Sequence, residues 1–475
     1  MTHGAAKGTL QLSAEHALGL FTGYFATLIL ARELGPEAFG LYGIILSVLA
    51  WAETTGQFGV PAAATRLIAE GREEKEAVGQ TTLVLGFVSY LAVFVLFVLA
   101  APFFARALNA PGEAGLFRLA AFDIPFFGIY FVLRGVGLGQ RKFGTVALGG
   151  LVVGFAKLFG VLLLTAVGVT VARALAVIIA SSLIGLLILT ARIPIRVAKP
   201  DRRLLGILMR IAIPLALSAL ALSFLHNVHL WILKSLSGDA AKGSIGVYVA
   251  AAHLAKGPEM IVIAVGAVLF PSISRAIAQG DDAAALAYVH GAVRFLWLVL
   301  LPVALLVALD AERIMTFLFS AKYSGGGEVL RVLIFAYALL AFLVSFSYML
   351  LGRGEFYRVA FLGFGILALM VGTGMILVPR AGAVGAAFSL LAATSVGAAL
   401  YAFLVWRRFG GLLLRRTFLS GILASLAALL VALLLRADGA LLLVKYAAVL
   451  GVYLLFLALT REIKEKDLAA VRFWK

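Results

Sequence analysis

Apolar residues in this chain run in long blocks, separated by short polar joints. A helix that crosses a bilayer needs about 20 mostly apolar residues. About fourteen stretches qualify, at roughly 10–32, 39–64, 79–101, 116–138, 144–166, 170–191, 206–236, 245–271, 287–309, 328–351, 357–378, 383–405, 414–435 and 438–460. The joints are brief and no long hydrophilic segment occurs, so no soluble catalytic domain is expected. The first stretch is followed by Arg32-Glu33 rather than by a small-residue cleavage site, and reads as a retained helix. The expected fold is an all-α polytopic membrane protein of about fourteen transmembrane helices.

Composition leads to the same class. Apolar residues make up 63% of the chain, charged residues 13%, and mean hydropathy is +1.08. An average soluble domain is about half apolar and about a quarter charged. The charge balance is +17, from 40 basic and 23 acidic residues. Nucleic acid could account for that excess, but in a polytopic protein basic loops holding the cytoplasmic side are the simpler account, and no nucleic-acid partner is expected. Counted over alternate loops, 24 Lys and Arg fall on the side of the N-terminus and roughly 10 on the other. Both termini are therefore expected in the cytoplasm, in the cytoplasmic (inner) membrane. Cysteine is absent, which excludes disulfides, thiolate metal sites and cysteine nucleophiles.

The two halves of the chain repeat. Phe39-Gly40-Leu41-Tyr42 opens the second stretch and Ile245-Gly246-Val247-Tyr248 the eighth. Pro61 followed by Thr65-Arg66 matches Pro271 followed by Ser274-Arg275. Leu138-Gly139 through Phe143 matches Leu351-Gly352 through Phe356. The offsets are 206, 209 and 213 residues, in one order. Six spans separate the copies, so the repeats are parallel and related by an axis along the membrane normal. The expected organisation is a six-helix bundle at 1–200, its repeat at 201–410, and two further helices with a cytoplasmic tail at 411–475.

The segment Leu30-Ala31-Arg32-Glu33-Leu34-Gly35-Pro36-Glu37-Ala38-Phe39-Gly40-Leu41-Tyr42 resembles the signature after the first helix of the polysaccharide transporter (Wzx-type) flippases, within the multidrug/oligosaccharidyl-lipid/polysaccharide superfamily. Arg66 and the Gly-x-x-x-Phe junctions fit the same pattern. The resemblance implies two six-helix bundles and movement of a polyprenyl-pyrophosphate-linked oligosaccharide to the outer leaflet by alternating access, for cell-surface polysaccharide biosynthesis. Its implied partners are membrane lipids, the lipid-linked oligosaccharide and other polysaccharide-assembly proteins. No cofactor is implied, and an H+ gradient, a Na+ gradient and the membrane potential are alternative driving forces. Two relatives stay in play. Lipid II flippases share the helix count, but Gly35-Pro36-Glu37 stands where their first loop has an Arg-Asp element. Cation-coupled multidrug exporters carry an acidic residue well inside the first helix, whereas Glu15 lies near the cytoplasmic end of this one. A membrane-embedded glycan polymerase or ligase would need a large external loop and a carboxylate-rich interfacial site, and neither is visible.

Ionisable residues at bilayer depth are costly and usually face a cavity or a partner. Lys256 lies near the middle of the eighth stretch, with His253 and Glu259 one turn to either side. Pro258 between them interrupts the hydrogen-bond ladder and marks a hinge candidate. Lys256 is a pyrophosphate ligand or half of an internal pair with Glu259. Glu53 and Gln57 sit mid-way along the second stretch, and Glu53 is a partner for Lys256, a proton carrier or a polar clamp. Asp123, Phe127, Tyr130 and Arg134 span eleven residues, close to three turns, and form one stripe. Lys157 is mid-way along the fifth stretch and Arg294 lies in the ninth. The cleft candidates for substrate are thus Lys256, Arg134, Lys157, Arg294, His253 and Tyr130, and those for coupling or ion pairing are Glu53, Glu259 and Asp123. The cations outnumber the anions, which favours an anionic ligand. No set of three metal ligands is evident, and no P-loop occurs.

In this cysteine-free chain, Ala381→Cys should react with a membrane-impermeant thiol reagent from outside intact cells, and Gln279→Cys should not. External labelling at 279 would overturn the topology.

Overall fold

The computed structural model describes residues 3–57, 59–71, 73–195, 199–238, 242–257, 269, 272–435, 439 and 441–462. Fifteen α-helices are followed here: α1 His3–Gln57, α2 Val60–Glu70, α3 Lys75–Ala107, α4 Ala114–Ala121, α5 Asp123–Gly139, α6 Phe143–Val167, α7 Val171–Arg192, α8 Arg202–Leu236, α9 Lys242–Ala255, α10 Asp282–Leu309, α11 Ala311–Phe319, α12 Gly326–Gly352, α13 Phe356–Phe409, α14 Arg415–Leu434 and α15 Leu441–Leu459.

Among the described residues, eleven helical stretches are long and apolar enough to cross a membrane. Two of them run through helices of double length: α1 has 55 residues and α13 has 54. Each is broken once by a glycine outside helical geometry, Gly35 (φ 71) and Gly382 (φ 51). At Gly35 the positive φ and the following Pro36 together end one helix and start the next. Each break leaves an arm on either side, and Gly243–Ala255 is a shorter apolar helix. The expected count of fourteen is therefore not reached among the described residues by length and composition. Two expected stretches are also subdivided. The one at 39–64 passes from α1 to α2, with Pro61 in the first turn of α2, and the one at 116–138 divides at Phe122 into α4 and α5.

The chain forms two compact units. Unit 1 is Met1–Val249 with Phe356–Ala386; unit 2 is Ala250–Glu355 with Ala387–Lys475. This grouping places 202–249 with the first bundle, where the repeat assigns them to the second. The reason is local packing: α8 lies against α1, α2 and α3. Its start is pinned by Asp201, whose carboxylate accepts the N–H groups of Arg203 (2.7 Å) and Leu204 (3.4 Å) while its own N–H donates to Thr81 Oγ1 on α3. Leu204 and Leu208 then join Leu67, Ile68, Leu133 and Val136 in one apolar core.

Within unit 1, α6 lies along α1 and α7, and α5 packs on α2, α3 and α7. Thr65 Oγ1 on α2 reaches the carbonyl of Gly135 on α5 at 2.8 Å. The two copies of the repeated Gly-x-Tyr motif touch each other. A Cβ on Gly40 would lie 2.8 Å from Gly246 N, and one on Gly246 would lie 1.6 Å from the carbonyl oxygen of Pro36. Backbone meets backbone there, a contact that only small residues permit. Close by, Tyr248 OH and His229 Nδ1 are 2.6 Å apart in a buried hydrogen bond.

In unit 2, α12 packs on α10 and α11, and α14 and α15 pack together with α14 against α10. Leu298, Ala424, Ala428, Val449, Tyr453 and Leu457 form the core that holds the last two helices. Tyr453 OH donates to the carbonyl of Leu298 at 2.5 Å.

Gly246→Ala should destabilise the protein by about 1–3 kcal/mol or more, because the added methyl meets a backbone oxygen that cannot rotate away. Gly243→Ala, with nothing within 4 Å of its added Cβ, is the control. Equal melting temperatures for the two variants in detergent would refute the packing role of Gly246.

Candidate functional site

Unit 1 holds a cavity of about 490 Å³ lined by ionisable side chains from three helices. α1 contributes Glu15, His16 and Glu53; α5 contributes Asp123, Tyr130 and Arg134; α6 contributes Lys157. Ser181 and Ser182 of α7 complete the polar wall. The break at Gly35 explains how Glu15 and Glu53, on the two arms of α1, line one cavity. They lie 20 and 18 residues from it, which at 1.5 Å per residue puts each about 30 Å down its own arm. The stripe of α5 explains the opposite wall, since Asp123, Phe127, Tyr130 and Arg134 all face the cavity.

Two charge clusters divide the lining. In the first, Arg134 makes a fork contact with Glu15: Nη1 to Oε1 at 3.0 Å and Nη2 to Oε2 at 2.8 Å. The side chains are 12% and 10% exposed, so this is a buried bidentate pair. Gly150 on α6 makes room for it, because a Cβ there would lie 1.9 Å from Glu15 Oε1. Tyr130 is within hydrogen-bond reach of Arg134, and His16 Nδ1 is 3.4 Å from Glu15 Oε2. In the second cluster, Glu53 and Asp123 are side by side and within hydrogen-bond reach of each other. A hydrogen bond between two carboxyl groups requires one of them to carry a proton. Ser182 is also in reach of Asp123, and Lys157 faces both carboxyls. Glu53 Oε1 and Asp123 Oδ1 are buried and without a hydrogen-bond partner. The pair thus has spare acceptor capacity for a proton, a cation or a donor on a ligand.

Of the residues singled out from sequence, Arg134, Lys157, Tyr130, Glu53 and Asp123 share this cavity. Lys256 and His253 belong to unit 2, where Lys256 Nζ lies 5.9 Å from the centre of the Tyr337 ring. Arg294 is also in unit 2. Its Nε is 3.4 Å from Glu462 Oε2, its Nη2 donates to the Glu462 carbonyl, and Thr417 Oγ1 reaches the same carboxylate at 3.1 Å. Arg294 thereby fastens the end of the last helix. Pro258 and Glu259 lie outside the described residues, as does the side chain of Gln57. Sequence reasoning passed over Glu15, His16, Ser181 and Ser182. Glu15 carried a signal, a carboxylate within an apolar stretch, but its partner Arg134 is 119 residues away.

A family model described as Polysaccharide biosynthesis protein matches residues 5–277, more than half of the chain. The chain belongs to the polysaccharide biosynthesis protein family. Stage V sporulation protein B of Bacillus subtilis (strain 168) is 29% identical over 150 residues, which are 30% of this chain and 29% of that protein. The chain thus spans under a third of that relative. Among solved structures, the lipid II flippase MurJ in an inward closed conformation superposes with a TM-score of 0.77 at 15% identity, covering 96% of this chain and 99% of its own. An inward-facing multidrug resistance MATE family transporter gives 0.71 at 18% identity, covering 85% and 98%. These likenesses give the fold, a membrane-spanning assembly of helical bundles.

Glu15→Gln and Arg134→Gln should each cost about 3–5 kcal/mol, because each leaves a buried charge without its partner. The double variant should cost less than the sum of the two. Thermal unfolding of the three proteins in detergent checks this, and strict additivity would show that the pair is not coupled.

Proposed function

We propose that this protein flips a polyprenyl-pyrophosphate-linked oligosaccharide across the cytoplasmic membrane by alternating access, in the assembly of a cell-surface polysaccharide. The observation that carries the reading is that Arg134 and Lys157 line one cavity, each facing carboxyl groups rather than left open. An incoming pyrophosphate has what both cations require: planar oxygen pairs for the Arg134 fork and dense charge for the Lys157 ammonium. It would replace Glu15 on Arg134. Protonation of Glu53 and Asp123 would release Lys157 to the ligand, so proton movement and substrate binding draw on the same groups. Family membership and fold kinship with a lipid II flippase support a lipid-linked substrate.

A cation-coupled exporter of small molecules is the second reading. It is favoured by the cavity's three carboxyl groups against two fixed cations. Reconstituted vesicles separate the two. For the flippase, Lys157→Gln should lower translocation of a lipid-linked oligosaccharide by about tenfold or more, the worth of one charged contact to phosphate, and Glu53→Gln should remove its dependence on a pH gradient. For the exporter, the vesicles should extrude a lipophilic cationic dye and leave the lipid-linked oligosaccharide untouched. Dye extrusion without glycan translocation would replace the proposal.

A further inference from the structure

Unit 2 contains a second charged cavity, of about 400 Å³, where α10 turns into α11 beside the facing ends of α14 and α15. Its lining includes Asp310, Glu312, Arg313, Arg331 and Lys445. Both carboxylates are already engaged within the fold. Asp310 Oδ2 accepts from Lys445 Nζ at 2.5 Å and from Tyr446 OH at 2.9 Å, and its Oδ1 accepts from Arg313 Nη1 at 3.3 Å. Glu312 uses its two oxygens on the N–H groups of Gly325 and Gly327, each at 2.9 Å. Asp310 and Lys445 are 5% and 4% exposed, so the floor is a built ion pair rather than a chance surface cluster.

Arg331 stands differently. It is exposed on the wall, its Nε donates to the carbonyl of Ala308 at 3.3 Å, and it has no carboxylate partner among the described residues. Three cations therefore face two satisfied anions, and the surplus charge is a guanidinium with free faces. The cavity wall on the α14 side is apolar and outward-facing, with Leu433 56% and Leu435 40% exposed. In a spanning unit such residues lie against acyl chains. A cationic cavity with a lipid-facing apolar wall matches a ligand with a phosphate head and a hydrocarbon tail.

We propose that this cavity binds a phosphate group and that Arg331 is the residue that holds it. The site lies in the other unit from the cavity of Arg134 and Lys157 and does not depend on the flippase reading. The phosphate could come from a membrane lipid head or from a soluble phosphate. The test uses the purified full chain, with Arg331→Gln, Arg331→Met and Lys322→Gln, the last removing a charge from the nearby turn Ala321–Tyr323. Retention of phosphatidylglycerol is read by native mass spectrometry, and protection by inorganic pyrophosphate is read as a shift in melting temperature. Retention falling about tenfold in both Arg331 variants, but not in Lys322→Gln, identifies a lipid head; loss of one charge-assisted hydrogen bond is of that order. Loss of pyrophosphate protection with unchanged lipid retention identifies a soluble phosphate. Arg331 variants equal to the parent in both readouts, or a Lys322→Gln effect as large as theirs, overturn the site. Neither readout involves glycan movement, so this result and the flippase test fail separately.

Discussion

A charge inside an apolar solvent must have a partner, and the placement of these helices follows from that constraint. Arg134 on α5 holds Glu15 on α1, Lys157 on α6 faces Glu53 and Asp123, Arg294 on α10 holds Glu462 beyond α15, and Lys445 on α15 holds Asp310. Most of these contacts join elements far apart in sequence, and each selects one packing among many that would bury equal apolar area. Lipid offers little preference between one apolar helix face and another, so polar pairs and small-residue contacts supply much of the specificity.

The chain's class was legible because its apolar blocks are long. The repeat and the first-loop motif were legible because they are local strings. The α5 stripe could be read too, since helical spacing alone puts Asp123, Tyr130 and Arg134 on one face. What escaped depends on distance in sequence. Glu15 looked peripheral because its depth was judged from the first helix alone, whereas the break at Gly35 sets two arms of α1 on one cavity, with Glu15 on one arm and Glu53 on the other. Arg294 looked like a cleft cation because Glu462 lies 168 residues away in a tail that reads as an appendix. The expected surplus of positive charge weakens accordingly: Arg294 serves packing, and carboxyl groups accompany the cations of the unit 1 cavity. Helix ends were the least legible, because α1 and α13 each continue through a glycine that composition marks only as a turn.

The last two helices belong structurally to unit 2 rather than standing beside it. Tyr453, Lys445 and Glu462 each reach back to α10 or to the turn after it, at Leu298, Asp310 and Arg294. These contacts are spread along the length of α15, so the pair is fastened at both ends as well as in the middle. Deleting the segment would expose an aspartate and an arginine that the rest of unit 2 leaves without these partners.

The meeting of Gly40 with Gly246 has a mechanical side. Ordinary helix packing interlocks ridges and grooves, and a small rotation must lift one ridge over another. At this contact Gly40 and Gly246 bring two backbones together, and one turn along Val249 is seated where a Cβ on Gly43 would lie 2.4 Å from its Cγ1. The second arm of α1 and the start of α9 are therefore held in register as well as in distance: the joint is keyed, and the key is a valine that fits only because its opposite number has no side chain.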